Sequence, residues 1–283
     1  MPALSVALGR FGMDVLRLRR KVTLDNLRSA FPEWSNDRIH DVARDTYRNI
    51  TLTFLELCRL PGLRPEQIAS QIRFASTDPM DAMHHAGTGA VFVTAHMGNW
   101  ELLGAALAAR GVPFNAVVAT QSNPRVDRFV MKTREDVGIR CIRREFGLRP
   151  ILQALRRGEC VVFLSDQDAG RRGVFLPFLD RPASTPRGAA RFARLTGCPL
   201  FVGFSVRQPD GSFLIDVQKP LNVRADLPAL QAEREVLAEV NRLLEAAVRA
   251  YPSQWFWMHR RWKTRPPDPA APLSPEETED DGT

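Results

Sequence analysis

A histidine and a glutamate lie five residues apart in the segment 91–101, which reads VFVTAHMGNWE. The apolar run ends at His96, and Gly98 permits a turn. Asn99 can cap the helix that follows, and Glu101 falls in its first turn. A carboxylate bonded to one imidazole nitrogen fixes the tautomer, and the other nitrogen can then take a proton from a hydroxyl. We therefore predict that His96 is a general base oriented by Glu101. The alternative is a strand-ending histidine near a carboxylate that merely favours the helix N-terminus.

Two aspartates follow a second apolar run, in the segment 165–170 (SDQDAG). If the strands are parallel, Asp166 and Asp168 lie at the same sheet edge as His96, where open α/β sheets bind ligands. Asp166 is the stronger candidate because it lies closer to the strand end. The alternative is a turn in which both aspartates bond backbone N–H groups.

A cluster of basic residues lies on one predicted helix between these two segments: Arg125, Arg128, Lys132 and Arg134. Such a helix can face the phosphate of an acyl carrier or an anionic lipid headgroup. A solvated helix face is the other reading.

Short apolar runs alternate with helical stretches from residue 89 onward. The predicted strands are 90–95, 114–119, 160–165 and 199–206, and the predicted helices between them are 99–110, 123–137, 148–157 and 185–196. This order predicts an α/β fold with a mixed, largely parallel central sheet. Residues 212–217 follow a Pro-Asp-Gly turn and predict an antiparallel hairpin. Further helices are predicted over 36–60, with Ser35 as N-cap, and over 228–251.

The charge of the chain is unevenly distributed. The 283 residues have a net charge of +7, and 44% of them are hydrophobic. Residues 266–283 contain six acidic residues and no Lys or Arg, which leaves 39 basic and 26 acidic residues, a net charge of +13, in the remainder. Such a basic body favours a polyanionic partner, either nucleic acid or an anionic membrane surface.

The four cysteines form no CxxC pair, which argues against a zinc site or a disulfide framework. No apolar run reaches the ~18 residues of a membrane-spanning helix. An apolar stripe near the N-terminus nevertheless has helical spacing, with basic residues on the opposite face; its members are Leu4, Leu8, Phe11, Val15 and Leu18. The stripe fits an interfacial membrane helix or an ordinary amphipathic helix packed on the domain.

Several motifs occur in the order found in one known family. The HMGNWE segment resembles the HxxxxD/E signature of glycerolipid-type acyltransferases, in the form typical of the lipid A lauroyl and myristoyl transferases. The segments 26–33 (NLRSAFPE), 123–134 (NPRVDRFVMKTR), 165–167 (SDQ), 174–185 (VFLPFLDRPAST) and 252–266 (PSQWFWMHRRWKTRP) are similar to further blocks of that family. The resemblance covers nearly the whole chain.

The resemblance implies transfer of an acyl chain from acyl carrier protein, or from acyl-CoA, to a hydroxyl of a glycolipid. It implies His96 as base, Glu101 as its partner, and functional positions at Arg134 and Asp166, with no metal or redox cofactor. We expect Arg134, Asp166, Asn99 and Asp168 to bind substrate. The implied location is the cytoplasmic face of the bacterial inner membrane, with peripheral or monotopic attachment.

Two departures from the family pattern concern the membrane and the acceptor. The longer apolar opening helix is reduced here to the short N-terminal stripe. The Arg-Pro pair before the NP block is replaced by Ala119, Thr120 and Gln121. This leaves open, as an alternative, an acyl-CoA-dependent acyltransferase for another glycolipid or a lysophospholipid, of the phosphatidylinositol mannoside type.

Other function classes fit less well. A hydrolase is expected to carry a GxSxG elbow, which this chain lacks. A nucleic-acid-binding protein accounts for the charge, but no recognised binding motif occurs, so we expect no nucleic-acid partner. An inactive scaffold would have no use for His96 and Glu101. We predict a membrane-associating helical segment over 1–62, an acyltransferase domain over 63–265 and a disordered acidic tail over 266–283.

Overall fold

The computed structural model describes residues 2–76 and 89–267. Nearly all of the predicted acidic tail, from residue 268 onward, lies outside the described residues. The helices are α1 (Pro2–Arg10), α2 (Arg20–Ala30), α3 (Asn36–Arg59), α4 (Pro65–Ala69), α5 (Trp100–Ala109), α6 (Pro124–Asp136), α7 (Leu148–Arg156), α8 (Gly188–Thr196) and α9 (Ala229–Ala250). The strands are β1 (Ile72–Phe74), β2 (Ala90–Thr94), β3 (Phe114–Val118), β4 (Arg140–Arg143), β5 (Cys160–Leu164), β6 (Val174–Phe178), β7 (Arg181–Thr185), β8 (Leu200–Arg207) and β9 (Phe213–Val217).

A seven-stranded sheet organises the described part of the chain, with the strand order β1-β9-β8-β2-β5-β3-β4. Strands β8, β2, β5, β3 and β4 are parallel, whereas β9 pairs antiparallel with β8. The predicted mixed, largely parallel sheet and the predicted hairpin after β8 are therefore confirmed. Strands β2 and β5 lie next to each other near the middle, which brings the segments that follow them together.

Both faces of the sheet are covered, and this explains the unbroken apolar runs of its central strands. In β2, Val91 and Val93 pack into the core formed with α8 and α9, whereas Phe92 packs with Leu103 of α5 on the other face. Every residue of β2 is buried. Since both faces are apolar, the strand cannot show the alternation of polar and apolar residues seen in half-exposed sheets.

The predicted helices begin and end within a few residues of their observed bounds. The Ser35 side chain caps α3 by accepting a hydrogen bond from the Arg38 N–H, at 3.3 Å. The predicted helix 185–196 begins only at Gly188, because Thr185 still belongs to β7. The short strands β1 and β4 were not predicted.

The segment 174–185 forms an antiparallel hairpin of β6 and β7. The predicted strands do not include this segment. Leu176 and Phe178 are buried, and the Phe178 ring contacts the rings of Trp255 and Trp262. These side chains therefore belong to the core.

The N-terminal apolar stripe is exposed. Helix α1 continues as a π-helical turn over Phe11–Val15, and the five stripe residues have exposed fractions between 43% and 64%. The neighbouring Gly9 packs closely against the backbone of Arg48 in α3. The stripe thus faces away from the domain. The alternative that this apolar face packs an ordinary amphipathic helix onto the domain is therefore wrong. Among the described residues, no helix is long and apolar enough to span a bilayer.

The C-terminal segment 251–264 crosses the sheet edge that holds the candidate site. Trp255 forms an antiparallel bridge with Met97, and the Phe256 N–H donates to the His96 carbonyl at 3.0 Å. Trp255 and Trp257 are 1% and 0% exposed. Both rings are enclosed in the core, so neither is available to a membrane surface or to a nucleic-acid base.

Polar bonds fix this C-terminal segment from several sides. The Asn26 side chain donates to the carbonyls of Trp257 and His259, at 2.9 and 2.7 Å. The buried Arg261 guanidinium donates to the Ser184 carbonyl and to Thr185 Oγ1. The segment is thus held both to α2 and to the β6–β7 hairpin.

His259 should make the stability of the protein dependent on pH. Burial lowers the pKa of His259 below its usual value of 6.5, with Arg261 acting in the same direction and Asp166 and Asp168 opposing it. Its Nε2 accepts a hydrogen bond from the Asp168 N–H, so the folded state favours the neutral ring. Below about pH 6.5 the unfolded chain binds the proton before the folded chain does, and the free energy of unfolding falls as the pH drops.

We expect His259→Gln to weaken this pH dependence, because glutamine keeps a hydrogen-bond acceptor without titrating. The measurement is urea unfolding of both proteins between about pH 7.5 and about pH 5.5. Parallel stability curves for the two proteins would contradict the assignment.

Candidate active site

The parallel register of β2 and β5 places His96 beside Asp166. Thr94 pairs with Leu164 at the carboxyl ends of the two strands, and His96 and Asp166 each follow two positions later. The His96 Nδ1 atom lies 2.8 Å from Asp166 Oδ1. Position in two adjacent strands, rather than proximity in sequence, therefore creates this pair.

Asp166 is enclosed and fully engaged. Its Oδ2 accepts hydrogen bonds from the His96 N–H at 3.0 Å and from Trp255 Nε1 at 2.9 Å. Burial alone would raise the pKa of the Asp166 carboxyl, but the adjacent His96 and the donated bonds outweigh it and lower the pKa. Asp166 is therefore a carboxylate at neutral pH and holds the proton of the imidazole on Nδ1.

The imidazole of His96 keeps its other nitrogen available. The side chain is 24% exposed, and among the described residues no hydrogen bond engages Nε2. The rings of Trp100 and Phe256 flank the imidazole, with centroids 5.1 and 6.0 Å away. An oriented, partly exposed imidazole with a free Nε2 lone pair has the arrangement of a general base.

Glu101 does not orient His96, which corrects the prediction drawn from their spacing. Its two carboxylate oxygens accept hydrogen bonds from Nε and Nη2 of Arg134, at 2.9 and 2.7 Å. The planar guanidinium matches a carboxylate in this two-bond geometry. Because Arg134 engages both oxygens and Asp166 already occupies His96 Nδ1, the expected bond from Glu101 to the imidazole does not form.

The Glu101–Arg134 pair is buried and lies near His96. Burial would lower the pKa of Arg134, but its bonds to Glu101 outweigh this effect and raise the pKa, so the guanidinium stays charged. Trp100 Nε1 donates to Glu101 Oε1 at 3.1 Å, while the ring of the same tryptophan contacts the His96 ring. Trp100 thus joins the ion pair to the imidazole.

Asn99 and Asp168 bond to the protein itself. Asn99 Oδ1 accepts from the Leu102 N–H at 2.9 Å, which confirms the predicted cap of α5, and its Nδ2 donates to Glu56. Asp168 accepts from the backbone and hydroxyl of Thr264 and from the Gly170 N–H. These contacts agree with the turn and cap readings; substrate binding by either residue stays a prediction.

Gly98 is required by the close approach of two segments. Its φ is +57°, and a Cβ atom there would overlap the carbonyl oxygen of Ser205 in β8. The Gly98 N–H donates to the Gln254 carbonyl at 2.9 Å, and its carbonyl accepts from Thr53 Oγ1 at 2.8 Å. The turn between His96 and α5 is therefore fixed on three sides.

Three residues around the site escaped the sequence analysis as site residues: Trp100, Trp255 and His259. Trp100 directly follows the cap residue Asn99 and is the first residue of α5, so it lies close to the end of the preceding strand. Trp255 and His259 lie far away in sequence, and no spacing rule connects them to residue 96.

The family model for bacterial lipid A biosynthesis acyltransferases matches residues 2–264. The chain belongs to this family. The resemblance of its sequence motifs to this family is thereby confirmed.

Several proteins that are similar to this chain in sequence are named acyltransferases. Lipid A biosynthesis acyltransferase 2 of Shigella flexneri is 25% identical over 94% of this chain and 85% of its own length. The lipid A biosynthesis lauroyltransferase of Escherichia coli strain K12 is 26% identical over 93% and 85%. A phosphatidylinositol mannoside acyltransferase of Mycolicibacterium smegmatis is 24% identical over 78% and 72%. The chain is accordingly an acyltransferase.

Substitution of the two carboxylates should have different consequences. Asp166→Asn is expected to lower kcat by at least about 10²-fold, because the imidazolium loses its counter-ion. Glu101→Gln is expected to lower the free energy of unfolding by about 3 kcal/mol, since the buried Arg134 charge is left unpaired. The measurements are acyl-transfer kinetics and urea unfolding of both variants. An Asp166→Asn protein with wild-type kcat would contradict the assigned pair.

Gly98→Ala is expected to destabilise the protein by more than about 2 kcal/mol, since it combines strain at positive φ with overlap at Ser205. Gly111→Ala is the matched control, because Gly111 also has positive φ, +78°, but open space around it. Thermal unfolding of both variants separates the two costs. Equal losses would show that the contact with Ser205 contributes nothing.

Proposed function

We propose that this enzyme transfers a fatty acyl chain from an acyl carrier protein or acyl-CoA thioester to a hydroxyl of a lipid A precursor or related glycolipid. The reaction takes place at the cytoplasmic face of the bacterial inner membrane. The observation that carries the proposal is the His96 imidazole, which the buried Asp166 carboxylate orients and whose Nε2 is free.

The proposed reaction begins with the acceptor hydroxyl bonded to Nε2 of His96. As the hydroxyl oxygen attacks the thioester carbonyl carbon, its proton passes to Nε2 and an imidazolium forms. Asp166 stabilises that positive charge because it is ionised and only 2.8 Å from Nδ1. The tetrahedral intermediate then collapses to an ester, and the thiolate that leaves takes the proton back from Nε2. This scheme needs no metal or redox cofactor.

Negative charge on the carbonyl oxygen requires a nearby donor. The Gly98 N–H does not serve as this donor because it already donates to the Gln254 carbonyl. The remaining sources are the positive end of α5, which starts at Trp100, and the Arg134 guanidinium. Because Glu101 holds Arg134 by two bonds, we propose that Arg134 acts as a fixed positive charge at this edge.

Membrane association is supported by the exposed N-terminal stripe. Its five apolar side chains point away from the domain, and Arg10, Arg17, Arg19 and Lys21 are exposed alongside them. An exposed apolar face next to cations is typical of helices that lie in the surface of an anionic bilayer. A lipid acceptor would then be presented from the bilayer to the sheet edge.

A glycolipid of the phosphatidylinositol mannoside type is the alternative acceptor. The similarity to a mycobacterial acyltransferase named for this substrate supports it, as does Ala119-Thr120-Gln121 in place of the family's Arg-Pro pair. The proposed base chemistry is the same for either acceptor, since both offer a hydroxyl.

The proposal is tested with labelled acyl transfer by the purified protein. Donors are acyl carrier protein and CoA thioesters, and acceptors are a tetraacylated Kdo-lipid A precursor and a phosphatidylinositol mannoside. We expect transfer by the wild type and a loss of at least about 10²-fold in His96→Ala, because general base catalysis supplies about that factor.

His40→Ala is the control, since His40 is a half-buried histidine of α3. It should transfer at the wild-type rate. Full activity of a folded His96→Ala protein would eliminate the base mechanism, and absence of transfer with every donor and acceptor pair would eliminate the proposed function.

A further inference from the structure

Four large apolar side chains are exposed on two segments that leave the sheet at its carboxyl edge. Val126 and Phe129 belong to α6, which follows β3, and they are 49% and 43% exposed. Phe146 and Leu148 follow β4 and are 70% and 43% exposed. Since β3 and β4 are parallel to β2 and β5, both segments lie at the same edge as His96.

Ion pairs and hydrogen bonds join these two segments into one surface. Arg143, at the end of β4, bonds Asp127 of α6 at 2.6 Å and Thr120 at 2.8 Å. The Thr120 N–H donates to Glu145, in the turn that precedes Phe146. The apolar side chains on either side of these bonds are thus held in a fixed arrangement.

Exposed cations lie among the apolar side chains. Residues 124–149 contain eight basic and four acidic residues. Three of the acids, Asp127, Asp136 and Glu145, pair with Arg143, Lys132 and Arg144. We call the set Arg125, Val126, Arg128, Phe129, Arg144 and Phe146 the α6 surface.

We propose that the α6 surface docks on an anionic lipid bilayer, as a second membrane contact separate from the N-terminal stripe. Cations beside protruding phenylalanines match a bilayer interface, where rings enter the acyl boundary and cations meet phosphate. Transfer of the Phe146 side chain from water into that interface is favourable. Because Phe146 lies in an exposed turn, it can reach the bilayer without rearrangement of the fold. The inference rests on the proposed function in one respect, the lipid nature of the acceptor.

The two contacts are attached to the site through different elements. Helix α1 packs on α3, and Thr53 of α3 bonds Gly98 beside the base. Helix α6 is joined to the start of α5 by the bonds between Arg134 and Glu101. Membrane binding strengthens with the apolar area that enters the bilayer, so a second contact both strengthens attachment and sets the orientation of the sheet edge.

The test is sedimentation of the full chain with vesicles of phosphatidylcholine containing about one third phosphatidylglycerol. We expect Phe129→Ser/Phe146→Ser to weaken binding by about tenfold, since two exposed apolar side chains no longer enter the interface. Arg125→Gln/Arg128→Gln should weaken binding to these vesicles and leave binding to pure phosphatidylcholine unchanged. Phe146→Ser alone changes a 70% exposed residue that lies outside α6, so it tests the surface without altering that helix.

The matched control is Leu195→Ser/Leu230→Ser. Both leucines are comparably exposed, but they lie near the end of α8 and the start of α9, toward the opposite edge of the sheet. We expect wild-type vesicle binding from this control. Leu8→Ser/Phe11→Ser, in the N-terminal stripe, should weaken binding independently of the α6 surface.

Vesicle binding is read without acyl transfer, so the inference and the proposed function can fail separately. Wild-type binding by Phe129→Ser/Phe146→Ser overturns the inference even if transfer is active, and so does a wild-type protein that does not sediment. The inference is also overturned if this variant binds vesicles normally but transfers more slowly from acyl carrier protein and not from CoA thioesters. That result would assign the α6 surface to an acidic protein partner. A protein that binds through the α6 surface but transfers no acyl chain overturns only the proposed function.

Discussion

The bond between His96 and Asp166 is the interaction on which the candidate site depends. It exists because β2 and β5 are parallel neighbours and end in register, at Thr94 and Leu164. A carboxylate buried this deeply is tolerated only when donors surround it, and the His96 ring, the His96 N–H and Trp255 supply them. The same donors lower the pKa of Asp166, so the charge that orients the imidazole is also the charge that would stabilise an imidazolium.

The rest of the structure keeps this bond in place. Trp255 reaches Asp166 only because the C-terminal segment lies across the sheet edge, and Asn26 and Arg261 fix that segment from opposite sides. On the other side of His96, Arg134 and Glu101 hold α6 to the first turn of α5. Trp100 donates to Glu101 and contacts the imidazole ring, so it links this ion pair to His96. The His96 imidazole is held in place on its Nδ1 side and is open at Nε2, and this arrangement suits acid–base catalysis.

Much of the fold followed from the sequence because the signals were local. The apolar runs of the central strands, the caps Ser35 and Asn99, and the turn at Gly98 each act over a few residues. The partner of His96 was misassigned for the opposite reason. Glu101 is near in sequence, but the guanidinium of Arg134, 33 positions later, engages both of its oxygens, and the strand register that delivers Asp166 cannot be read from spacing. The burial of Trp255 and Trp257 likewise depends on contacts with distant segments, which residue composition cannot reveal.

The state of the His96 ring tests the central claim most directly. Nitrogen-15 NMR of histidine-labelled protein reports which ring nitrogen carries the proton. Asp166 should keep the proton on Nδ1 in the wild type and in Glu101→Gln, and Asp166→Asn should abolish that preference. A tautomer that changes in Glu101→Gln but persists in Asp166→Asn would contradict the account and return the orienting role to Glu101.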